Sequence, residues 1–67
     1  MTGRELLRRA KRMGCERLRQ RGSHVIVRCP GGCQTVIPIH RGQDLPIGTL
    51  RSIERGLTRC LGEGWLR

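Results

Sequence analysis

The stretch "CERLRQRGSHVIVRCPGGCQTVIPI", Cys15 to Ile39, decides the fold. It divides into three short runs separated by two turns. Cys15–Gln20 is a strand candidate, and "RGS" turns the chain because Gly22 can take the positive φ such turns need. His24–Cys29 is rich in β-branched residues and reads as a second strand. "PGG" turns the chain again, and Gln34–Ile39 is the third strand. Pro38 has no N–H to give to a ladder, so that strand belongs at a sheet edge. The product is a three-stranded antiparallel meander.

Working outward, "TGRELLRRAKRMG" precedes the meander and reads as a helix. Thr2 and Glu5 have the spacing of a capping box. Leu6, Ala10 and Met13 recur at helical spacing, Leu7 widens the stripe, and Arg4, Arg8, Lys11 and Arg12 fall on another face. Gly14 is placed to end the helix. After the meander, "HRGQDLP" is a polar loop and "GTLRSIERGLTRCLG" returns to helical spacing, with Thr49 as its N-cap. Leu50, Ile53, Leu57 and Leu61 form its apolar face; Gly56 weakens it, and Gly62 and Gly64 end it. Trp65, in a tail of residues 62–67, is expected to fold back onto an apolar surface. The expected fold is α+β in the order α-β-β-β-α, one domain over residues 1–67, with both helices on one sheet face and the other face open.

A chain of 67 residues buries only about 60% of its unfolded surface. It has no room for an enclosed substrate cavity with a catalytic scaffold around it, so any active site must be a surface feature of few residues. The net charge is +9, carried by 13 Arg and one Lys against five acids. It is uneven: residues 1–28 hold nine Arg or Lys and two Glu, the remainder five Arg and three acids. A basic half of this kind is the electrostatic footprint of a nucleic-acid binder. No segment approaches the about 18 apolar residues of a membrane span, and no apolar leader opens the chain. A cytosolic protein with Cys15, Cys29, Cys33 and Cys60 reduced is therefore expected, the cysteines serving as small buried apolar residues. A disulfide across the "CPGGC" hairpin is geometrically open but disfavoured there, and a zinc site lacks a second close cysteine pair.

With no Phe, no Tyr and a single Trp, the sheet has no platform for stacking bases. RNA would be held through its phosphates, with weak sequence selectivity. His24 and His40 are the only side chains of a type that titrates near neutrality. RNA cleavage needs little from a protein, because the 2′-hydroxyl is an internal nucleophile. One group to move its proton and cations to stabilise the phosphorane suffice. A histidine among arginines supplies those parts, although a surface histidine alone is commonplace.

Three motifs in order, "RQRGSHVIVR", "VIPIH" and "LPIGTLRSI", with "RELLRRAKRMG" before them, resemble the HicA family of bacterial toxins over about residues 3–60. The resemblance implies a fold similar to double-stranded-RNA-binding domains. It also implies a cytoplasmic toxin of a type II toxin–antitoxin system that cleaves messenger RNA without a metal or cofactor. The family's Gly-Ser-His motif is Gly22-Ser23-His24 here, which assigns the catalytic role to His24 as acid or base. His40 matches a histidine often found after the third strand, as a second acid/base or a phosphate contact. Arg8, Lys11, Arg12, Arg19, Arg21 and Arg28 would hold the RNA, and a HicB-type antitoxin would bind and block the site. The chain departs from the family where Cys15 and Val27 stand in place of usual aromatics, so a small core stabilised by the partner is expected. Non-catalytic RNA binding and a cysteine–zinc module are the competing readings.

Overall fold

The computed structural model describes all 67 residues, in the order α1 (Gly3–Arg12), β1 (Glu16–Arg21), β2 (His24–Arg28), β3 (Gln34–Pro38) and α2 (Ile47–Leu61). The strands make one antiparallel sheet in the order β1-β2-β3, which puts the proline-bearing strand at an edge as expected. Both helices cover one face. Leu6 and Ala10 of α1 and Ile53 and Leu57 of α2 pack on Val25, Val27 and Ile37 of the sheet. The open face carries their alternating neighbours.

The start of α1 is held by the expected capping box: the Glu5 N–H donates to Thr2 Oγ1 at 3.2 Å, and the Thr2 N–H donates to the Glu5 carboxylate. Gly14, at φ 96°, lets the chain leave the helix. Met13 does not join the apolar stripe; it lies past the last helical turn and is 41% exposed. Gly3 is buried, because the first turn of α1 rests against the Pro38 carbonyl with no space for a Cβ.

Glu16 pairs with Arg28 and Arg17 with Val27, after which the β1 register shifts so that Arg19 faces Ile26 and Arg21 faces His24. Leu18 is the extra residue of this β-bulge. The β2–β3 ladder is regular from His24↔Pro38 to Arg28↔Gln34. Backbone hydrogen bonds extend it at both ends, from the Ile39 N–H to the Ser23 carbonyl (2.6 Å) and from the Cys29 N–H to the Cys33 carbonyl (2.8 Å).

Two further expectations are corrected. The second long helix begins earlier than its sequence suggests: Pro46, at φ −55°, takes the N-cap position without a side-chain cap bond, and Thr49 lies in the first turn. The fixed φ of proline organises a helix start without a polar cap. The cysteines are not free thiols. Cys15 is bonded to Cys29 and Cys33 to Cys60, and the bridge considered across the hairpin, Cys29 to Cys33, does not form. The registers explain the pairing. Continued by one residue, they set Cys15, Cys29 and Cys33 side by side in one row on the core face, and α2 lays Cys60 against Cys33 with 6.1 Å between Cα atoms.

The tail folds back as expected. Trp65 is buried and its indole N–H donates to the Glu54 carbonyl at 2.9 Å, while Arg9 reaches the Leu66 carbonyl at 2.7 Å. No helix is long and apolar enough to cross a membrane.

Candidate functional site

The edge of the sheet where β2 begins and β3 ends is the place to look for chemistry. The hydrogen bond from Ile39 to Ser23 clamps these two strand ends together, so His24 and the residues after Pro38 are held side by side. The chain then turns, with the Gln43 N–H bonded to the His40 carbonyl at 3.0 Å and Gly42 at φ 72°. The loop that follows is tied down rather than loose. The Leu45 N–H donates to the Met1 carbonyl at 2.8 Å, Asp44 bridges to Thr2, and Leu45 is buried.

These restraints bring His24 and His40, separated by 15 residues in the chain, into the lining of one open cavity of about 310 Å³. Pro38, Gln43, Asp44 and Thr49 complete most of its wall. Both imidazoles are exposed to solvent. Asp44 forms an ion pair with the N-terminal ammonium at 3.3 Å. Thr49 brings the start of α2 to the cavity, where the amides preceding the first helical bond (Leu50 N–H to the Pro46 carbonyl, 2.9 Å) carry the positive end of the helix dipole.

The six basic residues expected to hold RNA divide into three groups. Arg21 stands opposite His24 on the open face, Arg19 opposite Ile26, and Arg28 shares that face with His24 by alternation along β2. Arg8 and Arg12 line a shallow hollow on α1 together with Glu5 and Arg9. Lys11 belongs to neither group; it lines a separate cleft between α1 and β1 with Arg4 and Arg17. The six residues expected to hold RNA thus do not form one patch. Gln43 and Asp44 are not singled out by sequence reasoning, and nothing in "HRGQDLP" marks them; Thr49 stands out only as a cap.

The arrangement offers two groups able to move protons at one cavity, arginines on the adjoining face, and no aromatic platform. A strand of polyanion lying across the open face would present its phosphates to the arginines and one linkage to the imidazoles.

Residues 3–58 match the family model described as the HicA toxin of bacterial toxin–antitoxin systems. Comparisons with curated proteins and with solved structures returned no match. The matched span takes in both histidines, the whole sheet and most of α2. The chain belongs to the HicA toxin family: it is a toxin of a bacterial toxin–antitoxin system, whose cognate antitoxin is its partner.

Proposed function

We propose that this toxin is a metal-independent endoribonuclease that cleaves messenger RNA and is neutralised by a HicB-type antitoxin. The observation that carries the reading is the placing of His24 and His40 in the lining of one open cavity, with Arg21 opposite His24 on the neighbouring strand. The ribose 2′-hydroxyl attacks the adjacent phosphorus while one imidazole takes its proton. The bond from phosphorus to the 5′-oxygen breaks, and the departing oxygen takes a proton from the other imidazole. The products are a 2′,3′-cyclic phosphate and a 5′-hydroxyl. The nucleophile belongs to the substrate, so the chain need only move protons and offset charge. His24 is the acid or the base and His40 takes the complementary role. Arg21, opposite His24, stabilises the charge that builds on the phosphorane, and Arg8, Lys11, Arg12, Arg19 and Arg28 hold flanking phosphates.

Induced expression with analysis of the RNA ends tests the reading. The wild-type chain should arrest growth and leave 2′,3′-cyclic or 3′-phosphate ends. His24→Ala should abolish arrest while leaving folding and antitoxin binding in place. His40→Ala should lower the cleavage rate by about 10²–10⁴-fold, the usual worth of a general acid or base. Products ending only in 5′-phosphate, or growth arrest by His24→Ala equal to that of the wild type, would overturn it; the latter result is what a non-catalytic RNA-binding module gives.

A further inference from the structure

The cleft between α1 and the near edge of the sheet has a composition that the folded chain does not use. Arg4 and Lys11 lie seven residues apart, two helical turns, and so on one stripe of α1. Arg17 comes from β1. The Leu18 bulge is what sends it there: Arg17 faces Val27 on the side of the helices, whereas Arg19 and Arg21, beyond the bulge, face the open side. On an edge strand its long side chain leaves the core at the margin and stays exposed. All three cations line a single cleft of about 200 Å³ over an apolar floor that includes Leu7 and Val25, and no carboxylate lines it.

The cations are also arranged. Arg17 Nη2 donates to Gln20 Oε1 at 3.0 Å, and Gln20 Nε2 donates to the Gly22 carbonyl at 2.8 Å. The guanidinium is therefore fixed to the backbone of the β1–β2 turn, with its remaining donors unused. Arg4 and Lys11 make no side-chain hydrogen bond and no ion pair, and the one ion pair in the molecule lies elsewhere. Three like charges converging without a counter-charge repel one another unless an anion sits among them. A fork of guanidinium donors suits phosphate oxygens.

We propose that Arg4, Lys11 and Arg17 form a phosphate-binding subsite for the RNA strand, separate from the histidine cavity; this rests on the RNA-cleaving function proposed above. The position favours a strand over a free anion. Val25 and Ile39 line the cleft, and their chain neighbours His24 and His40 line the cavity, so the two sites lie on opposite sides of the same pair of strand ends. A strand whose cleaved linkage sits at the histidines and whose backbone rounds the β1–β2 turn passes from the open face to this cleft. The chain's inward-facing edge arginine, which a sheet would otherwise carry only to discourage edge-to-edge pairing, thereby acquires a ligand.

Binding of a fluorescein-labelled, single-stranded 2′-O-methyl RNA, which cannot be cleaved by 2′-hydroxyl attack, separates the subsite from catalysis. The full chain is compared with the triple variant Arg4→Gln/Lys11→Gln/Arg17→Gln, and with Arg51→Gln/Arg55→Gln/Arg59→Gln on α2, which removes equal charge elsewhere. For each phosphate that the cleft triple no longer neutralises, the slope of log K against log salt should fall by about 0.7. Affinity should drop about tenfold or more for the cleft triple and change little for the α2 triple. Equal weakening by the two triples would mean diffuse attraction and would overturn the subsite. So would a single Arg17→Gln variant that self-associates while binding RNA as tightly as the wild type. Titration with inorganic phosphate distinguishes the sources: tight phosphate binding that disappears in the cleft triple, with RNA affinity unchanged, would place a free anion in the cleft and overturn the strand. Expected oligonucleotide results with no cleavage of natural RNA would sink the nuclease reading alone; cleavage with wild-type RNA affinity in the cleft triple would sink the subsite alone.

Discussion

Gly3 shows how a single hydrogen atom positions the site. Its Cα sits against the Pro38 carbonyl, at the strand end from which His40 is hung, and a Cβ there would meet that carbonyl and the Ile39 side chain. The obstacle is backbone in a sheet, which cannot swing aside. Gly3→Ala should therefore destabilise the chain by about 1–3 kcal/mol, the usual cost of overpacking, visible as a lower midpoint in denaturant. An unchanged midpoint would show that α1 shifts freely. At this scale His24 is singled out by the likeness of Gly22-Ser23-His24 to the family motif; its arginine neighbours alone leave it an ordinary surface histidine. Its association with His40 in one cavity is not legible, because it depends on the Ser23–Ile39 clamp, which leaves no mark in residue type; Gly42 marks the His40–Gln43 turn but not the strand end it meets.

Among the elements, α1 and the meander are readable because their signals are local: a capping box, a period of 3.6, and turns at Gly22 and at "PGG". The bulge at Leu18 is not. Alternation through "ERLRQR" would put Arg17, Arg19 and Arg21 on one face, and only the observed register separates them. The start of α2 departs from its expected place as well: Thr49 is a good cap by type, but the helix already begins at Ile47, directly behind Pro46. Gly56 lies in the middle of α2, with nothing within 4 Å of the place its Cβ would occupy. Gly56→Ala should stabilise the protein by about 0.5–1 kcal/mol through the lower entropy of the unfolded chain. In a domain of this size that raises Tm by roughly 4–8 °C per kcal/mol. A calorimetric scan checks it, and a lowered Tm would mean that the helix surface at Gly56 is in use.

Over the whole molecule, the balance between a small core and covalent ties is what stands out. The core has no Phe or Tyr, and three of its twelve buried residues are cysteines. Domains of this size commonly need staples. Here the two bridges serve that purpose, one joining β1 to β2 near their ends and the other joining β3's entry to α2. Their sequence separations of 14 and 27 place the loss on opening each at about 3 kcal/mol and slightly more, by chain entropy. That sum is comparable with the whole stability of a small domain. Melting in excess dithiol reductant should thus show a much lower Tm than melting without it, and Cys33→Ser/Cys60→Ser about half of the drop; equal melting in both conditions would contradict this. The pairing escapes the sequence because it requires both sheet registers and the seat of α2 at once.

The Cys33–Cys60 bridge also encloses the loop that carries Arg41, which is exposed and lies outside every helix and strand. A protease that cuts after Arg41 would sever the chain without releasing anything. Residues 1–41 and 42–67 would migrate as one species on a gel until a reductant was added, and only then as two.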